Sequence, residues 1–222
     1  MSKVWRENGL SLVLLALFVL SFAGQIGAGQ RAHNEEQRQH GDPAVGVGEY
    51  LRSGHFLEAT AENWESEFLQ MFAYVLLTAW LYQKGSSESR KLDAENKQDR
   101  DPREHRRRPR APWPVRKGGE VVLWLYEHSL ALAFLLLFLF SMAWHARGGL
   151  IHHNEEQLAH GQPPIELADY VGGAQFWFES FQNWQSEFLS LVTMVVLSIW
   201  LRQRYSPESK PVDAPHDETG AG

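Results

Sequence analysis

Charge is nearly absent from residues 10–29 and 129–146, whereas residues 84–120 and 205–222 are dominated by polar groups and proline. Leu10–Gly29 (LSLVLLALFVLSFAGQIGAG) supplies roughly the 20 apolar residues that cross about 30 Å of hydrocarbon. Ser129–Trp144 (SLALAFLLLFLFSMAW) is a second such run, extendable back through Val121–Tyr126 if Glu127 is accommodated. Two shorter runs, Phe68–Tyr82 and Phe188–Leu201, hold only about 14 or 15 apolar residues and must begin upstream to span. That extension draws Asn63, Trp64 and Glu67, and equally Asn183, Trp184 and Glu187, into the outer bilayer. With no proline between Val45 and Asp101, one long helix is permitted there. The pattern predicts an all-α, polytopic membrane protein of four transmembrane helices.

The four runs are two copies of one unit. At a constant offset of 120, residues 7–89 and 127–209 match at 33 of 83 positions without a gap. The matches concentrate in HNEEQ (His33–Gln37, His153–Gln157), in His40-Gly41 and His160-Gly161, in Asn-Trp-x-Ser-Glu-Phe-Leu (Asn63–Leu69, Asn183–Leu189), and in Trp80-Leu81 and Trp200-Leu201. An even number of spans per copy makes both copies enter the membrane in the same direction, a tandem parallel repeat about a pseudo-twofold axis along the membrane normal. The expected organisation is a first hairpin at 1–83, a basic, disordered linker at 84–120, a second hairpin at 121–209 and a disordered tail at 210–222. Lys3 and Arg6 ahead of an apolar run ending at Ser21, Phe22 and Ala23 resemble a secretory signal, but the same pattern recurs at 127–149, so the helix is read as retained.

Composition adds little until charge is mapped. The 222-residue chain carries a formal charge of −6 and no cysteine, which excludes disulfides, thiolate metal sites and cysteine nucleophiles. Residues 84–117 hold twelve Lys or Arg, while 30–62 hold three and 147–182 hold one. The positive-inside rule therefore puts the linker and both termini in the cytoplasm and both HNEEQ segments outside. Nucleic acid is not an expected partner, because acidic residues are mixed into the basic run; anionic lipid headgroups are a secondary one.

Two constellations carry candidate chemistry. If the first span continues as a helix, His33, Glu36, Gln37 and His40 line one face at i, i+3, i+4 and i+7, and His153, Glu156, Gln157 and His160 repeat them, with His152 added. Imidazoles with a carboxylate between them suit zinc, manganese or iron. They equally suit a solvated helix end that packs against the next loop, or a pH sensor. HExxH is absent, so metalloprotease chemistry has no motif. The second constellation is Glu67 and Glu187 with Asn63 and Asn183 four residues earlier, and Gln25 and His145 as partners from the other spans. Glu in a first helical turn is also stabilised by the macrodipole alone.

Glu7-Asn8-Gly9-Leu10, the HNEEQ-x-x-HG segments, NWxSEFLQ and WLYQKGSSES together resemble an uncharacterised family of bacterial membrane proteins, a domain of unknown function. The resemblance covers nearly the whole chain apart from linker and tail. It implies a bacterial plasma-membrane location and a similar duplicated hairpin, and brings no catalytic residues. Three functions follow as expectations: a non-catalytic accessory or assembly-forming protein, acting as a homo-oligomer or within a membrane complex; a carrier of protons, metal ions or small solutes; and a metal-dependent membrane enzyme using HNEEQ. No nucleophile elbow or glycine-rich nucleotide loop is present.

Overall fold

A computed structural model describes residues 3–92 and 96–220, the side chain of His40 lying outside that description. Among the described residues the regular structure is all helical, without strands. The first copy forms α1 (Lys3–His40), the short α2 (Val47–Tyr50) and α3 (Gly54–Trp80). The linker carries two 3₁₀ turns, Lys97–Asp99 and Pro102–His105, then α4 (Trp113–Lys117) and α5 (Glu120–Glu127). The second copy forms α6 (Ser129–Ala159), α7 (Leu167–Gly172) and α8 (Ala174–Leu197). α2 and α7, like α3 and α8, begin 120 residues apart, the offset of the sequence repeat.

The helix ends have local causes. Gly41 (φ 84°) and Gly161 (φ 71°) adopt the left-handed conformation that closes α1 and α6. Asp42 N donates to Gln37 O at 2.9 Å and Gln162 N to Gln157 O at 2.8 Å, the paired-carbonyl arrangement of such caps. The long helix permitted from Val45 onward does not form. Ser53 interrupts it, its Oγ donating to Tyr50 O at 2.8 Å and accepting from Phe56 N at 3.3 Å to start α3. The third apolar run likewise does not extend back as one helix, because α5 ends at Glu127 and α6 begins at Ser129.

Among the described residues two helices are long and apolar enough to cross a membrane, the first being residues 3–39 and the second Ser129–Ala159. The residues that are buried in the fold are largely polar: Thr60, Glu65, Ser66, Gln70, Ser141, His145, Ser180 and Ser198. Large apolar side chains face outward, Leu10 at 76% and Leu20 at 70% exposure on α1, with Leu77 on α3, Leu136 on α6 and Leu189 on α8 also exposed. Water-soluble domains place these classes the other way round.

The chain divides into two compact units, Met1–Glu62 with Met142–Trp177 and Asn63–Ser141 with Phe178–Gly222, so each draws on both copies. In the first, the start of α3 lies against α6 without side chains between them. A Cβ on Gly54 would stand 2.4 Å from His152 N and 3.0 Å from Gly148 O, and one on Gly148 would stand 2.6 Å from Glu58 N. Small residues permit such approach where backbones cross. In the second unit α3 and α8 meet through polar side chains. Gln70 Nε2 donates to Ser190 Oγ at 2.6 Å and to Glu187 O at 2.8 Å. Gln70 and Ser190 are repeat counterparts.

The repeat persists past the helices. Gln83 N and Gln203 N each donate to the Oγ of the serine six residues on, Ser89 and Ser209, at 2.9 Å. Glu88 N and Glu208 N donate to Ser86 Oγ and Ser206 Oγ at 3.1 and 3.2 Å. The tail lies along the first of these turns, with Gly85 N donating to Thr219 Oγ1 at 2.9 Å and Gly220 N to Ser86 O at 2.9 Å.

Gly→Ala inside a helix ordinarily gains about 0.5–1 kcal/mol. At Gly54 the sign should reverse, because the new Cβ meets backbone, which cannot swing aside; overpacking of this kind costs about 1–3 kcal/mol. Gly54→Ala should therefore lower the thermal midpoint of the detergent-solubilised protein. Gly24→Ala and Gly27→Ala, where nothing lies within 4 Å, should leave it unchanged or raise it.

Candidate functional site

The HNEEQ segments form the last turns of α1 and α6, and in each copy the motif holds down the chain that follows. Asn34 Oδ1 accepts from Val45 N at 2.7 Å while its Nδ2 donates to Val45 O at 3.1 Å. Asn154 does the same for Ile165, at 2.8 and 3.1 Å. The His33 and Tyr50 rings lie 5.7 Å apart, as do those of His153 and Tyr170. Gln37 Nε2 is 3.4 Å from His33 Nε2, and Gln157 Nε2 is 3.2 Å from His153 Nε2. Gly29 and Gly149 complete the module, since a Cβ on either would stand 2.1 Å from the tyrosine hydroxyl of its copy. Tyr50 and Tyr170 are both buried, each set against a buried phenylalanine, Phe56 or Phe176.

The metal candidates occupy these local roles. His33 is 6% exposed. Its Nδ1 is buried with no hydrogen-bond partner. Glu36 and His153 are half-buried, while Glu156 and His160 are exposed. His160 Nδ1 lies 2.8 Å from the carbonyl of Glu156 one turn back, a helix-end contact. The side chain of His40 lies outside the described residues. Among the described residues, neither HNEEQ copy brings three ligating groups within reach of one ion.

The unit holds a row of imidazoles that is absent from the repeat pattern. His55, on the first turn of α3, has its ring 5.4 Å from that of His33 and 5.6 Å from that of His152 on α6. Its Nδ1 is 3.3 Å from the Tyr50 hydroxyl. Carboxylates flank the far end: His152 Nε2 is 4.0 Å from Glu58 Oε2 and 3.9 Å from Glu156 Oε1. Tyr170 donates its hydroxyl to Glu58 at 3.3 Å. Burial depresses the pKa of His55, and the neighbouring His152 and His33 depress it further against the pull of Glu36. Burial also raises the Tyr50 hydroxyl. The repeat-based reading missed His55, whose counterpart is Gln175, and took His152, whose counterpart is Ala32, only as an addition to the second motif. Positions where otherwise matching copies differ in chemistry were the available signal.

The candidates in the apolar runs are placed differently from expectation. Glu67 and Asn63 are exposed, and Glu187 and Asn183 half-buried. Asn183 Nδ2 donates to Glu179 O at 3.2 Å in its own helix. The acid that is buried is Glu65, which accepts from Trp184 Nε1 at 2.9 Å. His145 is buried with its ring 4.9 Å from Phe176, and Gln25 Nε2 donates to Thr60 Oγ1 at 3.1 Å.

Residues 1–221 match a family model described as "Domain of unknown function (DUF6766)". No curated protein and no solved structure matches the chain.

A histidine whose folded pKa lies below its unfolded value is fully compatible with folding above about pH 6.5, and its folded state loses ground as pH falls through that value, because the unfolded chain then binds more protons. The thermal midpoint should therefore fall between about pH 7 and 5. His55→Gln, which installs the residue found at the counterpart position, should flatten that acid limb; an unchanged slope would remove His55 as its source.

Proposed function

The chain belongs to the DUF6766 family, and from that premise we propose a non-catalytic, polytopic membrane protein that assists or assembles a plasma-membrane complex. In this reading α1, α3, α6 and α8 cross the bilayer as two tandem parallel hairpins, with the termini and linker in the cytoplasm. Support for four spans comes from the outward apolar faces of all four helices and the inward polar ones, a distribution suited to hydrocarbon. α3 has 27 residues and α8 has 24, enough to span at 1.5 Å per residue although their apolar cores are short.

The observation that carries the non-catalytic reading is the matched use of Asn34 and Asn154. Both copies of HNEEQ spend the same side chain, at nearly the same distances, on the backbone eleven residues on. A motif kept for chemistry would direct its groups to a shared cavity. This one anchors the polar connection between two helices, twice. Proton carriage is the second reading, favoured by the row formed by His33, His55 and His152.

Asn34→Ala and Asn154→Ala should each destabilise the protein by about 1–3 kcal/mol, the cost of stranding the backbone groups they serve. The two losses should be similar, and zinc, manganese or iron should leave the thermal midpoint of the unmutated protein where it is. A metal-dependent rise, expected as RT ln(1 + [L]/Kd) for a site present only in the folded state, and its loss in the double change His33→Ala with His153→Ala, would overturn this reading in favour of a metal site.

A further inference from the structure

Residues 100–119 carry eight Lys or Arg against two Asp or Glu, in a chain whose net charge is −6. Part of that charge is neutralised within the linker. Arg103 pairs with Glu120 at 2.9 Å and Asp101 at 3.4 Å, and Arg106 with Glu120 at 2.5 Å. Arg107, Arg108, Arg110 and Lys117 are exposed, and among the described residues no carboxylate pairs with them. Within this group stands Trp113, 57% exposed at the start of α4. Immediately after it, α5 presents Val121 (74% exposed), Trp124, Leu125 and Tyr126. An unneutralised cationic cluster is thus followed by an exposed aromatic and aliphatic stretch that leads into the apolar α6.

We propose that Arg107, Arg108, Arg110 and Lys117 dock the linker onto anionic phospholipid headgroups, with Trp113 and Trp124 at the interface. The inference rests on the spanning reading above. Charge complementarity selects the occupant: a surface of phosphatidylglycerol offers fixed negative charge at the depth where tryptophan settles and where the apolar segment begins. A nucleic acid would also meet the charge, but it would leave Val121 and Leu125 in water.

The test uses the full chain in lipid nanodiscs, one set of phosphatidylcholine alone and one containing phosphatidylglycerol, with tryptic cleavage at the Arg107–Arg110 cluster as the readout. Cleavage should be slower in the anionic discs, and the protection should vanish at high salt. The full-length variant Arg107→Gln, Arg108→Gln, Arg110→Gln is scored by the phosphatidylglycerol it co-purifies from mixed micelles. At about 1 kcal/mol per cation its affinity should fall on the order of a hundredfold. The matching Arg→Lys variant should keep most of the preference, since the attraction is to charge. Equal cleavage in both discs, an unchanged Gln variant, or tighter binding to a single-stranded RNA than to the lipid would overturn the proposal. Release of the whole chain from membranes by alkaline carbonate wash would instead overturn the spanning reading, so the two failures are separable.

Discussion

A side chain that makes hydrogen bonds inside hydrocarbon has no water to fall back on, so it must find its partner on a neighbouring helix. In the proposed four-span topology the amide of Gln70 does so against its own repeat counterpart, Ser190, and against the Glu187 carbonyl. Trp184 supplies the donor for Glu65 one and a half turns away on the same pair of helices. In the Gln70–Ser190 contact the two partners occupy equivalent positions of the two copies. The apolar faces of α3 and α8 are then left for their surroundings: both helices expose leucine, while α3 buries Glu65 and Gln70 and α8 buries Ser180.

The polar connections obey a different constraint. There the backbone leaves a helix and must be satisfied, and the HNEEQ motif meets that need by lending the asparagine side chain to Val45 in one copy and Ile165 in the other. Glycine at 29 and 149 admits the tyrosine ring, and glycine at 41 and 161 turns the chain. On this shared scaffold the copies diverge. The second copy has His152 where the first has Ala32, the first has His55 where the second has Gln175, and these two rings stand in a row with His33. Common residues build the module, and differing residues confer whatever is particular to it.

Much of the helical framework was legible in the sequence. α1 and α6 could be read from apolar length, and the 120-residue offset anticipated the starts of α7 and α8 relative to α2 and α3. The break at Ser53 was overlooked although Ser53-Gly54 is a dipeptide that marks turns; it depends on one hydroxyl bridging two backbone groups. Of the acids, Glu67 drew attention because it recurs as Glu187. Residues two apart on a helix point about 200° from one another, so burial of Glu65 turns Glu67 outward, and periodicity alone does not select between them. The histidine row was hidden for the opposite reason, since two of its three members, His55 and His152, do not recur.

In the proposed topology both hairpins enter the membrane in the same direction, with the HNEEQ ends on one side and the basic linker on the other. Fusions of a periplasmically active reporter in whole cells test this most directly. Fusions near Pro43 and Pro163 should be active and one near Lys97 silent. An active fusion at Lys97, or opposite results at Pro43 and Pro163, would contradict it.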